Sequence, residues 1–124
     1  MKQQKGFTLI ELMIVVTIAA IIAAFGYPMY LDSARKAKRA DAKVALTDNA
    51  QALERCRTNT NTYVGCTITT PSPEKAYNIT ISNVTASSFT LTATATGTQA
   101  NDTQCATFTL THTLAKSATS TTCW

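Results

Sequence analysis

Residues 7–31 (FTLIELMIVVTIAAIIAAFGYPMYL) form an apolar run interrupted by one charge, Glu11. A bilayer hydrocarbon core of about 30 Å takes about 20 apolar residues of helix, so this run is long enough to span it. Tyr27 and Tyr30 lie near one end, where aromatic rings favour the headgroup level. A cleaved secretory signal is the competing reading, since Lys2 and Lys5 give a basic start and Ala23-Ala24 a small-residue cut. Two features favour a retained helix. The run exceeds the ~7–15 residues of a signal core. It also holds a carboxylate, which costs about 2.5–3.5 kcal/mol if charged at mid-membrane.

The chain has 124 residues, 45% of them apolar and 15% charged. That length gives one small domain rather than a multidomain enzyme, and that composition excludes a disordered tail. Its 11 Lys and Arg exceed its 7 Asp and Glu, for a net charge of +4. The positive-inside comparison sets Lys2 and Lys5 on one flank of the run against Arg35, Lys36, Lys38, Arg39 and Lys43 on the other. By itself it keeps the larger part of the chain in the cytoplasm. Four cysteines in a small, Thr-rich region argue the reverse, because disulfides persist outside the cytoplasm. Residue physics alone leaves these two indications in conflict.

The stretch KGFTLIELMIVVTIAAIIAAFGYP resembles the N-terminus of type IV prepilins: a short basic leader ending in Gly6, then Phe7, then Glu11 and late in the run Pro28. Type II secretion pseudopilins share the pattern. The segments RADAKVALTDNAQALER and SFTLTATATGTQANDTQCATFTLT and the closing Cys123-Trp124 resemble PilE-type pilins, whose relatives include ComP-type receptors for DNA uptake. The resemblance implies an α+β architecture, the type IV pilin fold: a long N-terminal α-helix, transmembrane in its first half, packed on a C-terminal antiparallel β-sheet. It implies a leader (1–6) removed by a prepilin peptidase after Gly6, N-methylation of Phe7, and a globular part on the periplasmic side, which removes the conflict over topology. The implied segments are 7–31 for the transmembrane, polymerising half of the helix and 32–57 for its amphipathic half. Residues 58–124 would hold a loop, the sheet and a disulfide-closed C-terminal region. Cleavage leaves an ammonium on Phe7, and Glu11 lies one helical turn away. The resemblance implies that Glu11 pairs with the amine of a neighbouring subunit during assembly, a strong interaction in low dielectric that desolvation partly offsets.

Beyond Leu31 there is no Pro or Gly until Gly65, and residues 34–57 are rich in good helix formers. A helix is therefore expected from about 7 to 57. Gly26 and Pro28 mark an expected kink, in a region that filaments of the resembled family melt locally. Ala42, Ala45, Leu46, Leu53 and Cys56 share one face, interrupted by Asn49, and that face is expected to pack on the sheet. The basic group Arg35 to Lys43 reads as a solvated face or a contact for anionic headgroups, with Asp32 and Asp41 within pairing distance.

Three later segments alternate with period two: Tyr77–Val84, Phe89–Thr96 and Ala106–Leu114. Each is expected to be a strand with one buried and one wet face, paired antiparallel through short connections. Residues 58–76, with Gly65, Pro71 and Pro73, read as a loop, and Lys116–Trp124 as a short polar end. Four cysteines allow three pairings, of which Cys56–Cys66 with Cys105–Cys123 is favoured. Zinc is disfavoured, since no CxxC occurs. His112, the single histidine, falls on the apolar side of the third strand and reads as a core residue. Trp124 reads as a hydrophobic cap beside Cys123.

No catalytic set, phosphate loop, metal cluster or cofactor motif is present in the sequence, so no enzyme activity, metal or cofactor is expected. The leading reading is a structural pilus subunit supporting assembly, adhesion, twitching motility or DNA uptake. Its expected partners are other pilin subunits, a prepilin peptidase and the inner membrane before assembly; the assembled pilus is extracellular. The alternatives are a DNA-binding ComP-like minor pilin and a type II secretion pseudopilin. DNA as a partner has thin support here: beyond Arg57 only Lys75 and Lys116 face Glu74 and Asp102, a net of zero. Bound Ca²⁺ would favour the pseudopilin reading in its major type, but this chain's domain shows no acidic cluster to hold it.

Overall fold

The structure is a computed structural model that describes residues 2, 3 and 5–124. Met1 and Gln4 of the expected leader lie outside the described residues. The chain divides into two compact units, Met1–Ala34 and Arg35–Trp124. One helix, α1 (Leu9–Thr60), contributes to both, ending three residues later than expected. In the first unit its apolar side chains are exposed on every side, and 0% of its most apolar window is buried. The helix is unbroken through Gly26 and Pro28. Local melting there is therefore not a feature of the single subunit.

In the second unit α1 buries Ala42, Ala45, Leu46, Ala50 and Leu53, at the 3- and 4-residue steps that return to one face of a helix. The sheet has four antiparallel strands in the order β1 (Tyr77–Ser82), β2 (Thr90–Ala95), β3 (Thr107–Thr111) and β4 (Lys116–Ala118). Its inner face carries Tyr77, Ile79, Leu91, Ala93, Phe108 and Leu110, all buried. Tyr77 and Phe108 meet edge to face at 5.6 Å, and Tyr63 and Phe89 at 4.8 Å. Each large buried side chain contributes about 1.5–3 kcal/mol. The register places polar residues in rows across the outer face, such as Thr80, Thr92, Thr109 and Ser117.

Two disulfides close the domain. Cys56–Cys66 ties the last turns of α1 to the following loop, and Cys105–Cys123 ties the C-terminal segment to the start of β3. Each contributes about 2–4 kcal/mol.

The strands are shorter than the alternation predicts. Val84, Phe89, Thr96, Ala106, His112 and Leu114 lie outside them. A fourth strand, β4, occupies part of the segment read as a polar end. His112 is exposed rather than in the core. The alternation runs on past Thr111, but the chain turns there: Leu114 adopts φ 61° and its N–H returns to the Thr111 carbonyl at 2.9 Å. The His112 ring only approaches Phe89 from outside, at 6.4 Å. Trp124 stacks edge-on against Phe108 at 5.5 Å and donates its indole N–H to the Ser117 carbonyl at 2.6 Å.

Asn49 does not interrupt the buried helix face; it belongs to it. Its amide donates to the Thr69 carbonyl at 3.0 Å and accepts from the Thr69 N–H at 2.6 Å, so one side chain pairs with loop backbone as a strand would. Asp41 likewise faces inward, accepting from the Ser72 hydroxyl and the Glu74 N–H. The Ser72 and Thr70 hydroxyls accept from Tyr77 N–H and Ile79 N–H, each at 3.0 Å, which occupies the open edge of β1 and blocks pairing by another strand. Replacing Asn49 by Ala strands both Thr69 backbone groups. Asn49→Ala is expected to lower unfolding free energy by about 1–3 kcal/mol, read by thermal or urea unfolding; a loss near zero would contradict the pairing.

Candidate functional site

Two regions carry the polar chemistry. The first is the start of α1. Gly6 and Phe7 precede the helix and are exposed, and Glu11 sits in its first turn. Thr8 Oγ1 accepts from the Glu11 N–H at 3.2 Å, while the Glu11 carboxylate accepts from the Thr8 N–H at 3.5 Å. This reciprocal pair is a capping box, which satisfies donors that the first helical turn leaves open. The T-x-x-E spacing in residues 8–11 was visible in the sequence; attention to the carboxylate alone overlooked Thr8. The capping geometry leaves Glu11 at the exposed rim of the first turn, where its charge is also favoured by the helix N-terminus.

The second region lies between α1 and the loop before β3, and sequence reading missed it. Arg39 was placed in the basic group at the surface. Its guanidinium instead grips Asp102 with two bonds, Nε to Oδ2 at 2.6 Å and Nη2 to Oδ1 at 2.8 Å. The two side chains are only 12% and 4% exposed. Buried Gln99 donates to Asp102 Oδ2 at 3.2 Å, to the Tyr77 hydroxyl at 3.1 Å and to the Arg35 carbonyl at 3.2 Å. The Tyr77 hydroxyl in turn donates a hydrogen bond to the Cys105 carbonyl at 3.2 Å. Helix, β1 and the disulfide-bearing loop are thus tied by one connected set, and among the described residues no buried side-chain polar atom lacks a partner. The partners stand 63 residues apart in sequence, so no local spacing announces them.

The Arg39 guanidinium holds the Asp102 carboxyl below the usual carboxylate range, against a smaller opposing effect of burial. Burial pushes the Tyr77 hydroxyl up. It does the same to Tyr63, whose hydroxyl donates to Glu54 at 2.5 Å while the Arg57 guanidinium lies 5.0 Å from its ring centre. Among the described residues no group of His, Cys, Asp and Glu is placed to hold a metal ion. The arrangement ties the helix to the sheet and loop, and among the described residues it brings together no acid–base or nucleophilic set.

Comparison with known proteins decides the class. Residues 1–27 match the prokaryotic N-terminal methylation motif, and residues 28–109 match the family described as type IV minor pilin ComP, DNA uptake sequence receptor. The chain belongs to this family of type IV pilins. Among solved structures, the pilin is similar to the non-core minor pilin PilV of Neisseria meningitidis, at 25% identity and TM-score 0.61 over 72% of this chain and 90% of that one. It is also similar to a type IV pilin of Shewanella oneidensis, at 28% identity and TM-score 0.60 over 73% and 97% of the two chains. Among curated proteins, it is 44% identical over 69 residues to the type IV major fimbrial protein FimA of Dichelobacter nodosus, covering 50% of this chain and 43% of that one. It is 45% identical over 56 residues to the prepilin peptidase-dependent protein D of Escherichia coli, covering 45% and 38%. The pilin thus spans less than half the length of these two relatives. Its family and its structural neighbours are pilins, not enzymes.

The Arg39–Asp102 pair makes the pilin's stability depend on acid. A carboxyl with a lowered folded pKa stabilises fully above its unfolded value of about 3.9, and that contribution fades as pH falls through and below it. Asp102→Asn removes the carboxylate charge from beside the buried guanidinium and is expected to cost about 3–5 kcal/mol at neutral pH. The variant's stability should also fall less steeply than wild type below about pH 4. Unfolding curves across pH check both, and an acid limb as steep in the variant as in wild type would contradict the assignment.

Proposed function

We propose that this pilin is cleaved after Gly6, keeps its apolar helix, joins a type IV pilus through that helix, and presents a head domain that binds DNA for uptake. The observation that carries the DNA part is the family match over residues 28–109, which covers the head-bearing half of α1 and most of the sheet. Residues 35–124 hold nine Lys and Arg against five Asp and Glu, but the whole excess lies between Arg35 and Lys43; residues 44–124 hold four of each, so the head offers local cations such as Arg55 and Lys116 rather than a net charge. Phosphate binding needs such local cations and weakens with salt because releasing counterions then gains less entropy.

Processing and assembly rest on the other match. The methylation motif covers residues 1–27, which include Gly6, Phe7 and Glu11. In the membrane, a carboxylate one turn from a new ammonium lowers the burden of burying either charge. The capping box adds a constraint. A neighbour's amine reaching Glu11 competes with the weak 3.5 Å bond from Thr8, not with a buried partner. Inner-membrane anchoring before assembly and an extracellular filament after it follow from the same reading.

Two experiments test these parts separately. In Glu11→Ala, leader removal is expected to proceed while the amount of the pilin in sheared filaments falls; wild-type incorporation would contradict the pairing role. In a gel shift, the full chain in detergent is expected to retard duplex DNA at low salt and release it as salt rises. No retardation at low salt would remove the DNA reading and leave a structural subunit.

A further inference from the structure

The turn between β3 and β4 contains the least comfortable side chain of the head. Leu114 holds φ 61° and is 66% exposed. The left-handed conformation disfavours a residue with a Cβ, and Gly or Asn suits the third position of such a hairpin loop. Leu114 therefore carries both backbone strain and apolar exposure. It forms one lip of a groove of about 560 Å³ whose floor is Ala50, Phe89 and Leu110. Arg55 from α1 and Lys116 from β4 also line the groove, with the Thr47 hydroxyl and the Gln51 amide between them. The Lys116 ammonium sits 5.1 Å from the centre of the Trp124 ring, which fixes its side. One acidic residue lines the groove, Glu54, and its carboxylate is engaged by the Tyr63 hydroxyl.

Resting on the DNA reading above, we infer that this groove is the seat of one DNA strand. Arg55 and Lys116 contact phosphates, and exposed Leu114 contacts sugar and base surface. Two cations beside an exposed leucine fit a polyanion that also has apolar surface. A neutral surface would leave the cations unanswered, and a simple anion would leave the leucine bare. Exposed apolar side chains flanked by cations are a recurring way to contact stacked bases at a groove. Both charges lie on regular elements, a helix and a strand paired at Leu110–Lys116, so binding needs no ordering of the backbone that carries them.

Leu114→Asn separates fold from contact, because Asn accepts the left-handed conformation. In the full chain in detergent, this variant is expected to melt no lower than wild type and to bind a duplex oligonucleotide about tenfold more weakly. Its slope of log affinity against log salt should match wild type. Arg55→Met and Lys116→Met should each reduce that slope by about 1, whereas Lys75→Met, in the 72–75 turn rather than on the groove, should leave the groove's contribution intact. If wild type binds DNA and Leu114→Asn binds equally well with Arg55→Met and Lys116→Met slopes unchanged, the seat is elsewhere while the DNA reading stands. If Leu114→Asn loses filament incorporation but keeps DNA affinity, the groove is a contact between subunits and the inference is overturned. If wild type binds no DNA, both fall together.

Discussion

Between Leu9 and Tyr30, α1 presents apolar side chains all round and buries none of them. A helix that is apolar on every face has lipid or other apolar helices as its only favourable surroundings. The unit Arg35–Trp124 must therefore be stable on its own contents. Its helix stripe is built largely of small residues, Ala42, Ala45 and Ala50, so the core it closes over the sheet is light. Two disulfides, the Arg39–Asp102 pair and the Asn49–Thr69 pairing compensate for that lightness by tying distant segments to the helix. Small domains with a thin core commonly depend on such staples.

Several features were legible in the residues. The apolar run announces a helix that is apolar on every face, and period-two alternation locates three strands to within a few residues. The T-x-x-E box was there to be read as well. What the sequence concealed is of one kind: polar side chains whose partners are far away along the chain. Asn49 looks like a flaw in an apolar stripe until Thr69 arrives beside it. Arg39 looks like one more surface cation until Asp102 meets it. His112 and Leu114 were misplaced for a different reason. Alternation describes side-chain character, and it continues through a turn as readily as through a strand; only backbone geometry ends β3 at Thr111. Strand β4 has three residues, too few for any alternation to show.

Charge takes two roles in this chain. Arg39 is spent inside, where geometry and burial make it structural. Arg55 and Lys116 stay at the surface beside an apolar groove, where they are available to an anionic partner. Counting cations along the sequence merges these roles. It both overstates the basic group on α1 and understates the head, because Lys116 gains its meaning from Arg55 across a helix–sheet groove rather than from its neighbours in sequence.

Membrane anchoring and entry into a filament both depend on the fate of the apolar helix after export. Intact-mass and N-terminal analysis of the chain recovered from surface filaments measures this directly. A chain beginning at Phe7 with one methyl group on its amine is the predicted result. A chain beginning beyond Ala24 would mean that the helix is discarded, and with it the anchor, the capping box and the route into a polymer.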